Sequence, residues 1–365
     1  MQTNSKKTYA DIIQKYKEED YFVQNVILLK YMPNHSEAIA GNKSYVVTGL
    51  QLLKSEDYTN KDKIQNLVDK CNNDIVKNTT GFSWQIFYVL KELLQTLTVG
   101  NLKFNYFRGQ SNSKAFLPGA LRYEEKSDYI NDFESLYRKL SYEYPDIIDY
   151  VSINNKSSIV ERESNLSVLQ HYGLKTALLD ITKNPYIAML FMLKDNIKKY
   201  REPTLYLFKI NDNESNDVTL FSEVRKTHTN ERIIAQKGAF LNFEKVLYNK
   251  VNNKIPYIKI ILQFDTFNYL KLLIQEKNNN ETLNSKIIDD SNFIQTNIKF
   301  LKDEDSNKLY CLQNINKELE TKLKEYYYTK EDMFPDFENR IRYLSNKYSD
   351  VDPKTKKLNI DVEEE

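Results

Sequence analysis

An almost wholly apolar helix is predicted near the middle of the chain. Asn184-Pro185 begins it, because an asparagine at the N-cap accepts a backbone N–H bond and a proline at the first helical position has no N–H to leave unpaired. The residues that follow, Tyr186–Leu193, have no polar face. A helix that is apolar on every side has to be buried. Other elements must therefore surround it, and the β-like run Leu174–Ile181 just before it is the first of them.

The chain is long enough and apolar enough to bury such a helix. It has 365 residues, of which 41% are hydrophobic and 13% aromatic, and this composition excludes a disordered or collagen-like chain. At roughly 150 residues per domain, one to three domains are expected. Lysine and arginine number 52 against 51 aspartates and glutamates. The balance excludes a strongly basic nucleic-acid coat and a strongly acidic tail protein, although a local basic groove is still allowed.

Cysteine usage and the amino-terminal residues indicate the compartment. Cys71 and Cys311 are far apart and belong to no Cys/His cluster, so a disulfide framework is excluded and no metal site is expected. The first residues, Met1–Lys7, are polar, unlike a signal peptide. No run approaches the ~18 apolar residues of a membrane span. We therefore expect a cytoplasmic protein without a membrane partner.

Short β-like runs fill the middle of the chain, with helical patterns before, between and after them. The clearest helical pattern is Phe82–Leu97, whose apolar residues recur at three- and four-residue steps before Gly100. The predicted strands are Leu102–Phe107, Leu174–Ile181, Thr204–Ile210, Arg232–Phe243 and Tyr257–Phe264. The other predicted helices are Lys7–Leu29, Asp57–Asn72, Asp128–Tyr144, Val160–Tyr172, Leu309–Tyr328 and Phe337–Tyr348.

This order of elements predicts an α+β fold with a central mixed β-sheet. A helical N-terminal region is expected at residues 1–80, the α+β core at 81–265 and a helical C-terminal region at 266–348. The tail, 349–365, is highly charged and lacks aromatic residues, so we expect it to be disordered.

Five motifs follow one another in order over about residues 80–345: Phe107–Gln110, Phe116–Arg122, Gln170–Pro185, Arg232–Phe240 and Met333–Phe337. They resemble the motifs of the FRG-domain family, which is named for Phe/Tyr-Arg-Gly. The resemblance identifies the core as FRG-like. Ala177 and Ile181 stand where the family usually has arginine and tryptophan, and the missing arginine removes one anion contact.

A more distant resemblance is to the plan of the ADP-ribosyltransferases. Their first motif carries an arginine or histidine on a strand, and Arg108 is the matching residue. Their second motif is a polar strand end before an apolar helix, which resembles Asp180-Ile181-Thr182 followed by Ala188–Phe191. Their third motif holds a catalytic glutamate, and Asn230–Ile233 supplies Glu231. The resemblance implies an ADP-ribosyltransferase-like fold with NAD as cofactor and substrate.

The function that this resemblance implies is NAD-dependent mono-ADP-ribosyl transfer to a protein or nucleic-acid acceptor. A bacterial toxin or phage-defence effector, with an inhibitor or antitoxin as partner, is the matching biological role. A second hypothesis is a non-catalytic module that binds a nucleotide or another anion through Arg108 and the block around His171. A metal-free nuclease-like effector, with Lys175 and His171 as its only candidate residues, is the weakest, since hydrolytic nucleases usually need carboxylates for a metal ion.

The first motif supplies the candidate cofactor-binding residues Arg108, Gly109 and Gln110. A guanidinium at a strand end can clamp a phosphate or carboxylate with two hydrogen bonds. A glycine beside it lets backbone and ligand approach closely. The alternative is that Arg108 is structural and bonds loop carbonyls.

Glu231 and Gln236 are the candidate catalytic residues. Breaking the nicotinamide–ribose bond develops an oxocarbenium-like ribose, which a nearby carboxylate stabilises. The alternative for Glu231 is an ordinary exposed glutamate before a strand. The amide of Gln236 cannot act as a base, but it can orient a hydroxyl.

Four more residues are candidates for the cofactor site: His171, Tyr172, Asp180 and Thr182. Tyr172 could stack on a nicotinamide or base ring. In the alternative interpretation, His171 and Tyr172 only end a helix before Gly173. Asp180 and Thr182 could likewise do no more than bond the start of the next helix.

Residues at strand ends, and in the turns that follow them, gather at one edge of a sheet. We therefore expect Arg108, Tyr172, Asp180 and Gln236 to line one cleft, although they span more than a hundred residues.

Overall fold

Eight strands of the chain lie in a single sheet. The structure, a computed structural model, describes residues 8–34, 44–77, 85–124, 127–154, 156–193, 197–211, 219–223, 234–248, 253–281, 290–333 and 341. Its strands are β1 (Phe22–Pro33), β2 (Tyr45–Ser55), β3 (Tyr106–Gln110), β4 (Leu178–Thr182), β5 (Thr204–Phe208), β6 (Phe221–Ser222), β7 (Gly238–Asn242) and β8 (Ile255–Phe264). Their order in the sheet is β2-β1-β8-β5-β3-β4-β7-β6. Only β1 and β8 pair in parallel, and the sheet is therefore mixed.

The helices of the described residues pack against this sheet. They are α1 (Tyr9–Lys15), α2 (Glu18–Tyr21), α3 (Lys61–Lys77), α4 (Ile86–Leu97), α5 (Asp128–Glu143), α6 (Ile159–His171), α7 (Pro185–Met192), α8 (Thr266–Glu281), α9 (Asp290–Glu325) and α10 (Lys330–Met333). The α+β class with a mixed central sheet is thereby confirmed. None of the helices within the described ranges is long and apolar enough to cross a membrane.

All five predicted strands are present, with shifted ends. Strand β3 begins four residues later than predicted and includes Arg108, because Tyr106–Gln110 pairs with β5 along its whole length. Strand β7 is shorter than the predicted Arg232–Phe243, since Ile234 and Ala235 form a helical turn and residues 232 and 233 lie outside the described residues.

The prediction of a surface helix over Lys7–Leu29 is wrong from Phe22 onward. Strand β1 begins there and pairs with β8, residue for residue, from Phe22 to Tyr31. Its partner lies more than 200 residues further along the chain, and such long-range pairing overrides a weak local helical pattern. Strands β1 and β2 belong to the same sheet as the strands of the core, so the sheet includes residues on the N-terminal side of the boundary predicted at residue 80. The helix predicted at Phe337–Tyr348 and the tail at 349–365 fall outside the described residues, apart from residue 341.

The two faces of the sheet bury two separate hydrophobic cores. Along β5, Leu205 and Leu207 contribute to one core, while Tyr206 and Phe208 contribute to the other, as the two-residue period of a strand requires. The first core also holds the buried sides of α3, α4 and α7, and the second holds those of α5 and α6. Helix α7 therefore has the buried position that its apolar sequence predicts.

Candidate functional site

Strands β3 and β4 pair at one position only, Phe107 opposite Thr182. Beyond this pair the two neighbours separate, and a cleft of about 650 Å³ opens there. Strand β3 stays bonded to β5 and β4 stays bonded to β7 along their lengths, so each wall of the cleft is supported from behind. The residues that line it are Phe107–Asn112, Lys114, Ala115, Leu117, Leu121, Arg122, Asp180–Thr182, Phe191, Gln236, Gly238 and Phe240.

The side chain of Arg108 crosses the gap between the two strands. Its Nη1 donates a hydrogen bond of 2.6 Å to the backbone carbonyl of Asp180. Its Nε is buried and has no hydrogen-bond partner among the described residues. Burial lowers the pKa of Arg108 below its ordinary value, the charge of Asp180 opposes that shift and the charge of Arg122 adds to it. Because a guanidinium keeps its charge in proteins, Arg108 presents a fixed, partly unpaired cation to the cleft.

Gly109 has a packing role that the sequence analysis did not anticipate. A Cβ atom at this position would lie 1.7 Å from the carbonyl oxygen of Ala188 in α7 and 2.7 Å from the backbone nitrogen of Met192. The close approach that requires glycine at position 109 is therefore that of α7 to β3, and no ligand is needed to explain it. Glycine allows α7 to lie directly against the strand that carries Arg108.

Gln110 holds the loop that follows β3. Its Nε2 donates to the backbone carbonyl of Asn112 at 3.2 Å, to Asn112 Oδ1 at 3.0 Å and to the carbonyl of Lys114 at 2.9 Å. Its Oε1 is buried and has no partner within the part of the chain that the structure describes. Gln110 therefore shapes the loop 111–115, four of whose residues line the cleft.

Asp180 is the one carboxylate among the described lining residues. It is exposed, and its Oδ2 accepts a hydrogen bond of 2.8 Å from Gln170 Nε2. Gln170 is itself oriented, because its Oε1 accepts from Thr176 Oγ1 at 2.5 Å. The start of α7 is bonded by Asn184, whose side chain accepts from the backbone N–H of Tyr186. Asp180 is thus held by Gln170, which the sequence analysis placed in a motif without giving it a role.

Thr182 and Gln236 join the cleft to the carboxy-terminal part of the chain. The Thr182 hydroxyl donates to the backbone carbonyl of Gln236 at 2.6 Å and accepts from the backbone N–H of Asn184 at 3.0 Å. Gln236 Nε2 donates to the carbonyl of Met333 at 2.8 Å. Thr182 is therefore engaged within the protein, and the amide nitrogen of Gln236 is bonded to α10. Gln236 lies in the turn before β7 and not on the strand.

His171 and Tyr172 lie outside the lining of the cleft. Tyr172 is the C-cap of α6 and is 64% exposed, because the helix ends at the surface there. The ring of His171 contacts that of Tyr172 edge-on at 5.2 Å, and its Nδ1 is buried without a partner among the described residues. The structure brings Arg108, Asp180 and Gln236 to one cleft as predicted, but the prediction that Tyr172 lines it is wrong.

Glu231 falls outside the described residues, so its place relative to the cleft stays a prediction. In the described part of the chain, no three His, Cys, Asp or Glu side chains are placed to hold a metal ion. Both cysteines, Cys71 and Cys311, are buried and free.

Three cations and one carboxylate are found among the described lining residues: Arg108, Lys114 and Arg122 against Asp180. Arg122 ends the 3₁₀ turn Ala120–Arg122, and its Nε donates to the carbonyl of Leu117 at 2.9 Å. The sequence analysis gave neither Arg122 nor Lys114 a role, although Arg122 lies in one of the motifs. This excess of two positive charges suits an anionic ligand.

The model of one protein domain family matches the segment of the chain that carries most of the cleft residues. The FRG domain matches residues 103–201, which include β3, β4 and α7. The match assigns residues 103–201 to the FRG domain. No match was found among curated proteins. No match was found among solved structures either.

Proposed function

We propose that the cleft binds NAD and that the protein transfers ADP-ribose from it to a protein or nucleic-acid acceptor. The observation that carries the proposal is the separation of β3 from β4 after Phe107 and Thr182, with the Arg108 guanidinium across the gap and the Asp180 carboxylate beside it. A cleft of about 650 Å³ is within the range of small-molecule and cofactor sites. The wider resemblance to ADP-ribosyltransferases supports the choice of NAD among anionic nucleotides.

The lining of the cleft has both kinds of surface that a dinucleotide needs. NAD carries two negative charges on its pyrophosphate, and the described lining has an excess of two positive charges. Phe191, Leu117 and Leu121 add apolar surface for a ring or a ribose face. Arg108 contacts Asp180 through one N–H only, so further donors of its guanidinium are available to the ligand.

The reaction breaks the bond between ribose C1′ and the nicotinamide nitrogen, and the electron pair leaves with nicotinamide. Positive charge develops on the ribose, and a carboxylate close to it lowers the barrier. A nucleophilic atom of the acceptor then forms the new bond to C1′ and loses its proton. Gln170 holds the Asp180 carboxylate at the cleft, where this carboxylate can stabilise the ribose cation. Glu231 keeps the catalytic role that the resemblance implies, and Gln236 can orient a ribose hydroxyl.

An enzyme of this kind would suit a bacterial toxin or a phage-defence effector. ADP-ribosylation of a cellular protein or nucleic acid alters charge and shape at the modified residue, so a host cell needs to restrain it. An inhibitor or antitoxin partner therefore belongs to the proposal.

The direct test is the release of nicotinamide by the purified protein. The full chain is incubated with NAD, with and without cell lysate as acceptor, and nicotinamide is measured by chromatography. Transfer of label from NAD carrying a radioactive adenylate to lysate protein or nucleic acid identifies the acceptor class. Nicotinamide release that Asp180→Asn and Glu231→Gln both leave unchanged would contradict the catalytic assignment. A protein with no measurable affinity for NAD would contradict the proposal as a whole.

A non-catalytic nucleotide-binding module is the second candidate, and one observation favours it. The amide nitrogen of Gln236 is bonded to Met333, and the Thr182 hydroxyl is bonded to Gln236. Of the predicted site residues that the structure describes, only Arg108 and Asp180 can then offer a charged group to a ligand in the cleft. Binding of ADP-ribose without any release of nicotinamide from NAD would favour this second candidate.

A further inference from the structure

We infer that one end of the cleft, formed by Arg108, Arg122 and the loop 111–115, is a subsite for the pyrophosphate of a dinucleotide. This inference rests on the proposed function for the naming of the dinucleotide. The chemical class that the subsite recognises, two linked phosphates, is argued from the charges and hydrogen bonds of this chain alone.

Arg108, Lys114 and Arg122 bring three cations to the cleft, and Asp180 is the one carboxylate among its described lining residues. Burial lowers the pKa of Arg108, and the charge of the nearby Arg122 lowers it further. Lys114 comes from the loop between them in sequence, and all three line the same cleft. Like charges gathered at one site repel each other, and an anion bound between them relieves that repulsion.

The carbonyl groups of the loop are already bonded, which removes the main obstacle to an anion there. The carbonyl of Asn112 accepts from Gln110, that of Ser113 accepts from Lys259 Nζ at 2.5 Å, and that of Lys114 accepts from both Gln110 and the Tyr206 hydroxyl. In a trans peptide the N–H points away from the C=O. The N–H groups that follow these three carbonyls therefore point away from the donors that hold the carbonyls, and that of Lys114 donates to Asn112 Oδ1 at 3.1 Å.

The loop is held from the sheet and does not depend on a ligand for its shape. Tyr206 lies on β5 and Lys259 on β8, while Glu202 accepts a hydrogen bond of 2.6 Å from the Ser113 hydroxyl. Burial lowers the pKa of Lys259. A loop fixed in this way loses little conformational freedom on binding, and the affinity of a preorganised site is correspondingly higher.

Asp180 sets the direction in which a dinucleotide lies. Its exposed carboxylate lines the same cleft, and it repels phosphate. A ribose, whose hydroxyls donate to carboxylates, is the neutral part of the ligand that suits Asp180. The pyrophosphate accordingly lies toward Arg122 and Lys114 and away from the Asp180 carboxylate.

The test is titration calorimetry of the full chain with inorganic pyrophosphate, AMP and ADP-ribose. We expect pyrophosphate and ADP-ribose to bind, with affinities that fall as sodium chloride is raised, and AMP to bind more weakly. The double variant Lys114→Gln/Arg122→Gln should weaken ADP-ribose and pyrophosphate binding by about tenfold or more, since each lost group made a charge-assisted hydrogen bond. Lys259→Met, which frees the Ser113 carbonyl without removing a cation from the lining, should weaken ADP-ribose binding several-fold.

The matched control is Lys70→Gln/Lys139→Gln, which removes two exposed lysines from α3 and α5 and so makes the same change in net charge. This control should bind as the unmodified protein does. Equal affinity of Lys114→Gln/Arg122→Gln and the control for ADP-ribose would overturn the subsite, and so would a chain that binds neither pyrophosphate nor ADP-ribose. Thermal denaturation of each variant separates lost binding from lost folding.

The subsite and the proposed function fail in different ways. If ADP-ribose binding depends on Lys114 and Arg122 but NAD releases no nicotinamide, the subsite stands and the transferase proposal falls. If nicotinamide is released and the double variant has an unchanged KM for NAD, the transferase stands and the subsite falls.

Discussion

Arg162 and Glu244 form a fully buried ion pair between α6 and the 3₁₀ turn that follows β7. Arg162 is 1% exposed and Glu244 0% exposed. Arg162 Nε donates to Glu244 Oε2 at 2.7 Å, and its Nη2 donates to Glu244 Oε1 at 2.8 Å. The same guanidinium also donates to Glu134 on α5 and to the carbonyl of Val151. One arginine thereby ties three elements of the second core together, including the helix that carries Gln170.

Removal of Arg162 should strongly destabilise the protein. Arg162→Met leaves Glu244 buried without its counter-charge, and breaking a buried pair from one side costs about 3–5 kcal/mol. We expect a loss of that size in the free energy of unfolding, measured by urea denaturation.

The control for this variant is Lys139→Met. Lys139 pairs with Glu143 at the surface of α5, where an ion pair contributes about 0–1 kcal/mol. Equal stability of Arg162→Met and Lys139→Met would show that Glu244 is not buried as the structure places it.

Gly109 should tolerate no side chain. Gly109→Ala places a Cβ 1.7 Å from the Ala188 carbonyl, so α7 has to move off β3. We expect a loss of about 3 kcal/mol or more in stability, at the upper end of overpacking changes. Ala188→Leu overpacks the core around α7, where Ala188 is fully buried, and should cost about 1–3 kcal/mol.

Gly119→Ala is the matched glycine variant. Its new Cβ would lie 3.2 Å from the Cβ of Lys175, a contact that a shift of a few tenths of an ångström relieves. Melting temperatures compare the three variants. Should Gly109→Ala melt together with Gly119→Ala, the close packing of α7 on β3 is wrong.

Variants of the proposed transferase should separate binding from turnover. Arg108→Ala removes a contact made in ground state and transition state alike, so it should mainly weaken NAD binding. Glu231→Gln should leave binding nearly unchanged and lower turnover by about a hundredfold or more, because the lost charge acts on the developing ribose cation. Nicotinamide release at several NAD concentrations measures both effects.

Gln236→Ala decides between the two candidate catalytic residues. Full activity of Glu231→Gln together with an inactive Gln236→Ala would assign the third motif to Gln236. Because Gln236 Nε2 is bonded to Met333, the melting temperature of Gln236→Ala has to be measured alongside its activity.

The stability of the contact between α8 and α9 should depend on pH through Glu304. Glu304 is 4% exposed, and its Oε1 accepts from Thr266 Oγ1 and from Lys308 Nζ, both at 2.7 Å. Burial raises the pKa of this carboxyl, but the bonds from Lys308 and Thr266 outweigh burial, and the net shift is downward from 4.5.

A carboxyl whose pKa is lowered by folding stabilises the protein above its unfolded pKa, and the effect is lost as the pH falls through the folded pKa. Glu304→Gln should therefore lower stability by about 1 kcal/mol at pH 7 and make little difference near pH 3. Urea denaturation of the variant and the unmodified protein at both pH values checks this. A difference that is independent of pH would show that the charge of Glu304 is not involved.

Local sequence patterns were sufficient for much of the sheet and for one wall of the site. Asn184 caps α7 as predicted, and the apolar run that follows is buried, because caps and burial depend on neighbours in sequence. The strand cores of β3, β4, β5, β7 and β8 follow from runs of β-branched and aromatic residues. Strands β1 and β2 could not be predicted in the same way, since the pairing of β1 with β8 joins residues more than 200 positions apart.

The sequence by itself determined which residues have the chemistry for an anionic cofactor and that the apolar helix after Asn184 must be buried. Arg108, Asp180 and Gln236 share the cleft that the sequence predicted for them, but only the tertiary structure decided that Tyr172 lies outside it and is exposed to solvent. It also assigned Gly109 to helix packing and brought Lys114 and Arg122 to the site. The physical reason is that residue type and spacing act locally, whereas the separation of β3 from β4 depends on β5 and β7, which hold the two strands from opposite sides.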